Sequence, residues 1–213
     1  MVLTASDHRL GDIEIGDRLL AEPPPLLNLF MPQTESRGVT EKFLMSTLVR
    51  QHRGLRLDPI TYHALARWRS SVREWQIEAL RALKVDPPSS LLDRVGSQIA
   101  ELASEMFGTD TYRLVVPVAC GNSGPNCLAC RLARDVAAKL RIGFLQAFEE
   151  IPTSGSSHPR RNAARPRMKL RAVPTKALLL IDDVATSGAH LEEAVKLLRR
   201  SAPAVVPLVW IAA

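Results

Sequence analysis

A chain of 213 residues with 46% apolar side chains can bury a sizeable core, which excludes a natively disordered protein and leaves room for one domain with an extension. The formal charge of +6 is concentrated: residues 151–176 hold seven basic side chains and no acid, and the rest of the chain has 21 basic residues against 22 acidic ones. This excludes a generally basic surface. No apolar run is long enough to span a bilayer and no signal-peptide pattern is present, so the expectation is a soluble, cytoplasmic protein without membrane contact.

Residues 1–40 contain Pro23, Pro24 and Pro25 and show no clear period, as an arm would. Residues 60–84 place Leu65, Trp68, Val72, Trp75, Ala79 and Leu83 at helical spacing, which predicts one long amphipathic helix. Trp68 and Trp75 fit core packing or a homodimer contact better than stacking on a ligand. Ser90-Leu91-Leu92-Asp93 resembles a capping box that opens a second helix, with Leu92, Val95, Ile99, Leu102 and Met106 on one face.

A β-rich run at 112–118 follows. A helix is expected over 125–141, striped by Leu128, Leu132, Val136 and Leu140 and stopped near Gly143. A short strand over 144–148 leads into the basic segment. Its Ser, Gly, Pro and Asn content predicts a loop, and it carries Arg160, Arg161, Arg165, Arg167, Lys169, Arg171 and Lys176. A strand over 177–181, a helix over 189–200 and a strand over 204–211 complete the chain. Strands alternating with helices imply an α/β fold with a parallel sheet and right-handed crossovers. The expected organisation is a domain over 90–213 preceded by a helical extension over 1–89. Ligands of such sheets bind beyond the carboxyl ends of the strands.

Two loops fall at those ends. In residues 178–190, LLLIDDVATSGAH, a buried-strand run delivers the adjacent carboxylates Asp182 and Asp183. Such a pair can accept hydrogen bonds from the vicinal hydroxyls of a sugar. After Val184, a turn from Ala185 to Ala189 offers backbone N–H groups, the Thr186 and Ser187 hydroxyls, and Gly188, where backbone can approach a phosphate closely. It leads into a helix N-terminus, which attracts anions. The other loop, residues 119–124, contains Cys120, Gly121 and Asn122 and also feeds a helix. Cys127 and Cys130 stand at the first turn of that helix. With Cys120 they allow metal binding, redox chemistry or simply buried thiols; His158 is the nearest candidate for a fourth metal ligand. Their odd number does not suggest a secreted disulfide scaffold.

The segment 178–190 closely resembles the phosphoribosyl-pyrophosphate (PRPP) signature of type I phosphoribosyltransferases: apolar residues, two acids, two variable residues, then Thr-x-Gly. The resemblance implies a Rossmann-like parallel sheet with flanking helices. It implies that Asp182 and Asp183 hold the ribose 2′- and 3′-hydroxyls and that Ala185–Ala189 wraps the 5′-phosphate. It implies that Cys120, Gly121 and Asn122 belong to a pyrophosphate loop, and that the basic segment, with Arg160, Arg161 and Arg165, is a flexible loop that closes over the reaction. Mg²⁺ would accompany PRPP, bridging pyrophosphate and sugar hydroxyls, and the acceptor would be a nitrogen of a base or related small molecule. Competence-accessory (ComF-like) members look nearest, from Arg161-Asn162 and Thr186. Thr186 disfavours a 6-oxopurine acceptor, because the family's purine enzymes use an acid there. His190 replaces a common Thr or Ser, acting as an imidazolium toward the phosphate or as an ordinary exposed helix residue. The base-recognising hood would come from the N-terminal ninety residues. The rival expectation is a non-catalytic protein of the same fold that senses PRPP or a nucleotide, or associates with DNA through loop 151–176.

Overall fold

The computed structural model describes residues 33–57, 60–108, 110–118, 124–149 and 168–212. The expected arm is therefore largely outside the described residues, as are Cys120, Gly121, Asn122, His158, Arg160, Arg161 and Arg165. The described strands are Leu48–Leu57 (β1), Ile60–Trp68 (β2), Leu114–Pro117 (β3), Gly143–Phe144 (β4), Leu178–Ala185 (β5) and Val205–Ala212 (β6). The α-helices are Gln33–Ser46 (α1), Glu74–Val85 (α2), Ser89–Phe107 (α3), Leu128–Leu140 (α4) and Ala189–Leu198 (α5). The sheet order is β1-β2-β6-β5-β3-β4. The pair β1–β2 is antiparallel, and the other neighbours are parallel. The fold is thus the expected α/β class.

The central strands read as unbroken apolar runs because both of their faces are covered. On one face Leu179, Ile181, Leu208 and Trp210 pack with Leu44 of α1, Leu83 of α2, Leu91 of α3 and Leu132 of α4. On the other face Leu178, Leu180, Val205 and Val209 pack with Leu191, Val195 and Leu198 of α5. Helix α4 links β3 to the neighbouring β4, and α5 links β5 to the neighbouring β6 on the opposite side. The two crossovers leave the β3–β5 pair in opposite directions. The carboxyl ends of β3 and β5 therefore flank a topological switch point, where open α/β sheets bind ligands.

Residues 60–84 are not one helix. Ile60–Trp68 is a strand parallel to β6, with His63 opposite Leu208 and Ala66 opposite Ile211, and α2 begins only at Glu74. The described part of the N-terminal extension is therefore helix, two strands and helix, rather than all helix. Along β2 the residues Ala64, Leu65 and Ala66 are all buried, because both sheet faces are covered there. Every second residue from Ile60 to Trp68 is buried while Thr61 and Arg67 are exposed, but Leu65 breaks the alternation, and with Trp68 and Val72 it mimics a helix stripe. The β-branched and aromatic start, Ile60-Thr61-Tyr62, favours the pleated form once β6 supplies a partner. Trp68 is a core residue, and Trp75 packs on Phe43 at a ring-centroid distance of 4.8 Å.

The capping box at Ser90 is also overturned. The N-cap of α3 is Pro88, and the Ser90 hydroxyl instead donates to Glu41 Oε2 at 2.9 Å. Asp93 is turned outward, accepting from Lys139 Nζ at 2.6 Å. Pro32–Ala213 forms one compact unit. Among the described residues no helix is long and apolar enough to cross a membrane.

Candidate functional site

β5 runs further than its apolar residues. Asp182 pairs with Val209, Val184 with Ile211 and Ala185 with Ala212, so both acids lie within the strand. The expected turn shortens accordingly: Ala185 is buried strand, and the chain turns over Thr186, Ser187 and Gly188. Thr186 and Ser187 are exposed, leaving their hydroxyls available. Gly188 is the N-cap of α5 with φ 73°, a left-handed conformation that a Cβ would oppose. The Ala189 N–H donates to Ser187 Oγ at 3.4 Å, and Gly188 O accepts from the Glu192 N–H at 2.8 Å. The first turn of α5 thus directs its N–H groups and the positive end of its dipole toward the carboxyl end of β5.

The Val118 N–H donates to Ile181 O at 2.8 Å, which extends the pairing of β3 beyond Pro117. The loop expected to hold pyrophosphate therefore leaves the sheet beside the first acid. Where Cys120, Gly121 and Asn122 lie falls outside the described residues. The basic segment is anchored at both ends after β4. Phe148 bridges Leu170, the Glu149 N–H donates to Lys169 O at 2.9 Å, and the Arg171 N–H donates to Ala147 O at 2.9 Å. Lys169, Arg171 and Lys176 are exposed, whereas Arg160, Arg161 and Arg165 fall outside the described residues.

The two carboxylates have unequal surroundings. Asp182 is half-buried, and its Oδ1 accepts the Asp183 N–H at 2.8 Å. Burial, then repulsion from Asp183, raise its pKa to about 7, against the opposing pull of Lys84 and of that amide. Asp183 is only 8% exposed and accepts a hydrogen bond from Lys84 Nζ at 2.8 Å. Burial pulls the Lys84 ammonium downward, but the charge and hydrogen bond of Asp183, aided by Asp182, outweigh it and the net shift is upward. His190 moves the other way. Desolvation, then the nearby Lys84 charge, lower its pKa. His190 is the exposed second residue of α5.

Lys84 is the site residue that the sequence did not reveal. It sits in the last turn of α2, where a cation also suits the helix dipole. Leu80 and Leu83 of the same helix are buried in the core, which fixes the base of its side chain. Nothing in its local sequence points to a carboxylate 99 residues away; a lysine in the last turn of an amphipathic helix was the only signal.

Cys127 is disulfide-bonded, which departs from the readings of these cysteines as metal ligands or simply buried thiols, and Cys130 is buried. Cys127 also caps α4, its Sγ accepting the Cys130 N–H at 3.4 Å. Among the described residues no three His, Cys, Asp or Glu side chains gather as a metal site would require.

Residues 89–213 match the family model of the phosphoribosyl transferase domain. The chain belongs to that family. No curated protein sequence matches it. Among solved structures it is similar to adenine phosphoribosyltransferase from Saccharomyces cerevisiae, with 13% identity, coverage of 83% of this chain and 89% of that one, and a TM-score of 0.45. Orotate phosphoribosyltransferase from Aeropyrum pernix gives 18% identity, coverage of 83% and 80%, and a TM-score of 0.35. Adenine phosphoribosyltransferase from Leishmania tarentolae gives 10% identity, coverage of 85% and 89%, and a TM-score of 0.42.

Proposed function

We propose that this protein binds PRPP and transfers its phosphoribosyl group to a nitrogen acceptor, releasing pyrophosphate. The observation that carries this reading is the Asp182–Asp183 pair at the carboxyl end of β5, followed directly by Thr186, Ser187 and Gly188 at the N-terminus of α5. The pair receives the ribose 2′- and 3′-hydroxyls. The turn and helix N-terminus receive the 5′-phosphate. In the reaction the bond from C1 to the pyrophosphate oxygen breaks and a C1–nitrogen bond forms. Carboxylate charge beneath the ring favours the cationic character that C1 acquires between those events. The loop holding Cys120, Gly121 and Asn122, with Arg160, Arg161 and Arg165, attends to the departing pyrophosphate.

Mg²⁺ fits this site as a cation carried by the substrate. The hard donors present are two carboxylates, one of them already bonded to Lys84, which suits oxygen-bridged contact with a hydrated ion rather than an all-protein cage. When bound, it supplies charge neutralisation on the leaving pyrophosphate. The N-terminal segment supplies the acceptor side. A cleft of about 440 Å³ opens at the carboxyl end of β2, lined in part by Arg67, Arg69, Ser70, Ser71 and Ala212. Ala212 pairs with both Ala185 and Arg67, so this cleft is one strand removed from the end of β5. The ComF-like subtype rests on Arg161-Asn162 and Thr186.

Calorimetry with PRPP·Mg²⁺ tests the reading. Asp182→Asn combined with Asp183→Asn should abolish binding, by at least about a hundredfold since two charge-assisted contacts are lost, with the circular dichroism of the fold retained. Undiminished affinity in the folded double variant would refute it.

A further inference from the structure

The Lys84–Asp183 contact conflicts with the role just given to Asp183. The Asp183 side chain is 11% exposed, so it has little free oxygen surface, and its Oδ1 is already taken by the Lys84 ammonium at 2.8 Å. A ribose hydroxyl and this ammonium compete for one small patch. A hydroxyl is a neutral donor, so replacing the ammonium would strand a positive charge beside the site unless another anion accepts it. PRPP brings that anion itself, because its pyrophosphate is borne by the carbon adjacent to the diol. The Lys84 side chain is 37% exposed on a flexible four-carbon stem, while Leu80 and Leu83 hold its helix in the core. A four-carbon stem of this exposure lets the ammonium change partner while its backbone stays in place.

We propose that Lys84 is a ligand-exchange residue of the PRPP site: it caps Asp183 in the empty site and passes to the pyrophosphate of PRPP when the ribose takes the carboxylate. A residue outside the matched family domain thereby becomes part of the site. The exchange keeps charges matched at each stage. Lysine and Asp183 are paired before binding; afterwards sugar hydroxyls meet the carboxylate and the ammonium meets the pyrophosphate. It also discriminates between ligands. Ribose 5-phosphate has the same diol and phosphate but brings no second anion, so it must displace Lys84 without offering it a partner.

This inference rests on the transferase reading, and its test separates the two. Binding of PRPP·Mg²⁺ and of ribose 5-phosphate is measured by calorimetry for the wild type, Lys84→Met and Lys84→Arg, with circular dichroism confirming that each variant is folded. Lys84→Met should weaken PRPP binding by about tenfold or more, as expected for losing a charged contact. It should leave ribose 5-phosphate binding unchanged or tighter, and Lys84→Arg should recover part of the PRPP affinity. Equal weakening of both ligands would overturn the exchange and leave Lys84 as a mere prop for Asp183. Tighter PRPP binding in Lys84→Met would overturn it in favour of a plug, and unchanged binding of both ligands would remove Lys84 from the site. If Lys84→Met does not fold, Lys84→Arg decides: loss of ribose 5-phosphate binding along with PRPP binding overturns the proposal, and selective change in PRPP binding supports it. A wild type that binds neither ligand refutes the transferase reading itself.

Discussion

The strand and turn of residues 178–190 and the segment of residues 60–85 meet at one carboxylate, yet they are built in different ways. The first is a local object. Within thirteen residues it contains the apolar strand, both acids, the left-handed Gly188 and the helix start, and each part constrains the next through bonded geometry. The second is assembled from a distance. β2 needs β6 as its parallel partner, α2 needs the core cluster that holds Leu83 with Leu44 and Leu91, and only then does Lys84 reach Asp183. The groups that would touch a sugar are thus encoded together, whereas the charge that balances them is delivered by tertiary packing.

The largest test of this contrast is removal of residues 1–88. If the matched family domain depends on the earlier segment, residues 89–213 alone should give no cooperative thermal transition. The truncation uncovers one edge of β6 and takes Leu44, Leu80 and Leu83 from the core. Each buried leucine contributes roughly 2–5 kcal/mol, and together they rival the whole stability of a typical domain. A melt of the truncated protein that keeps the full-length midpoint would show that the two regions are independent.

A smaller effect concerns Asp182. Its folded pKa of about 7 lies above the ordinary 3.8, so the folded state favours the protonated carboxyl. The resulting stability is fully present below the ordinary value and is lost as pH rises through about 7. Denaturant midpoints of the free protein should therefore fall between pH 4 and pH 8. Asp182→Asn should recover roughly 1–3 kcal/mol at pH 8, after allowance for partial exposure, and little at pH 4. Identical pH profiles for the two proteins would mean that the burial and the Asp183 charge do not act on Asp182 as described.

The smallest change is confined to the local object. Gly188→Ala forces a Cβ into the left-handed conformation and should cost about 1–2 kcal/mol in chemical denaturation, without changing the Lys84–Asp183 contact. An unaltered midpoint would mean that the turn does not need its glycine.

By itself the sequence determined the α/β class, the strand–turn–helix that carries Asp182, Asp183, Thr186, Ser187 and Gly188, and the stripes of α3, α4 and α5. These are short-range: a carboxylate pair, a glycine at a helix start and a period of 3.6 are written in neighbouring residues. Only the tertiary structure settled that residues 60–68 form a strand: Thr61, His63 and Arg67 alternate with apolar residues, but Leu65, buried on the second covered face, breaks that alternation and fits a helix stripe equally well until β6 supplies the partner. It decided the fate of Ser90, whose hydroxyl found Glu41 across the packing of α1 and α3 instead of capping its own helix. It also made two adjacent and chemically identical aspartates unequal, one bonded to Lys84 and the other raised to about 7, because burial and charge depend on what the fold brings near and not on what the chain places next.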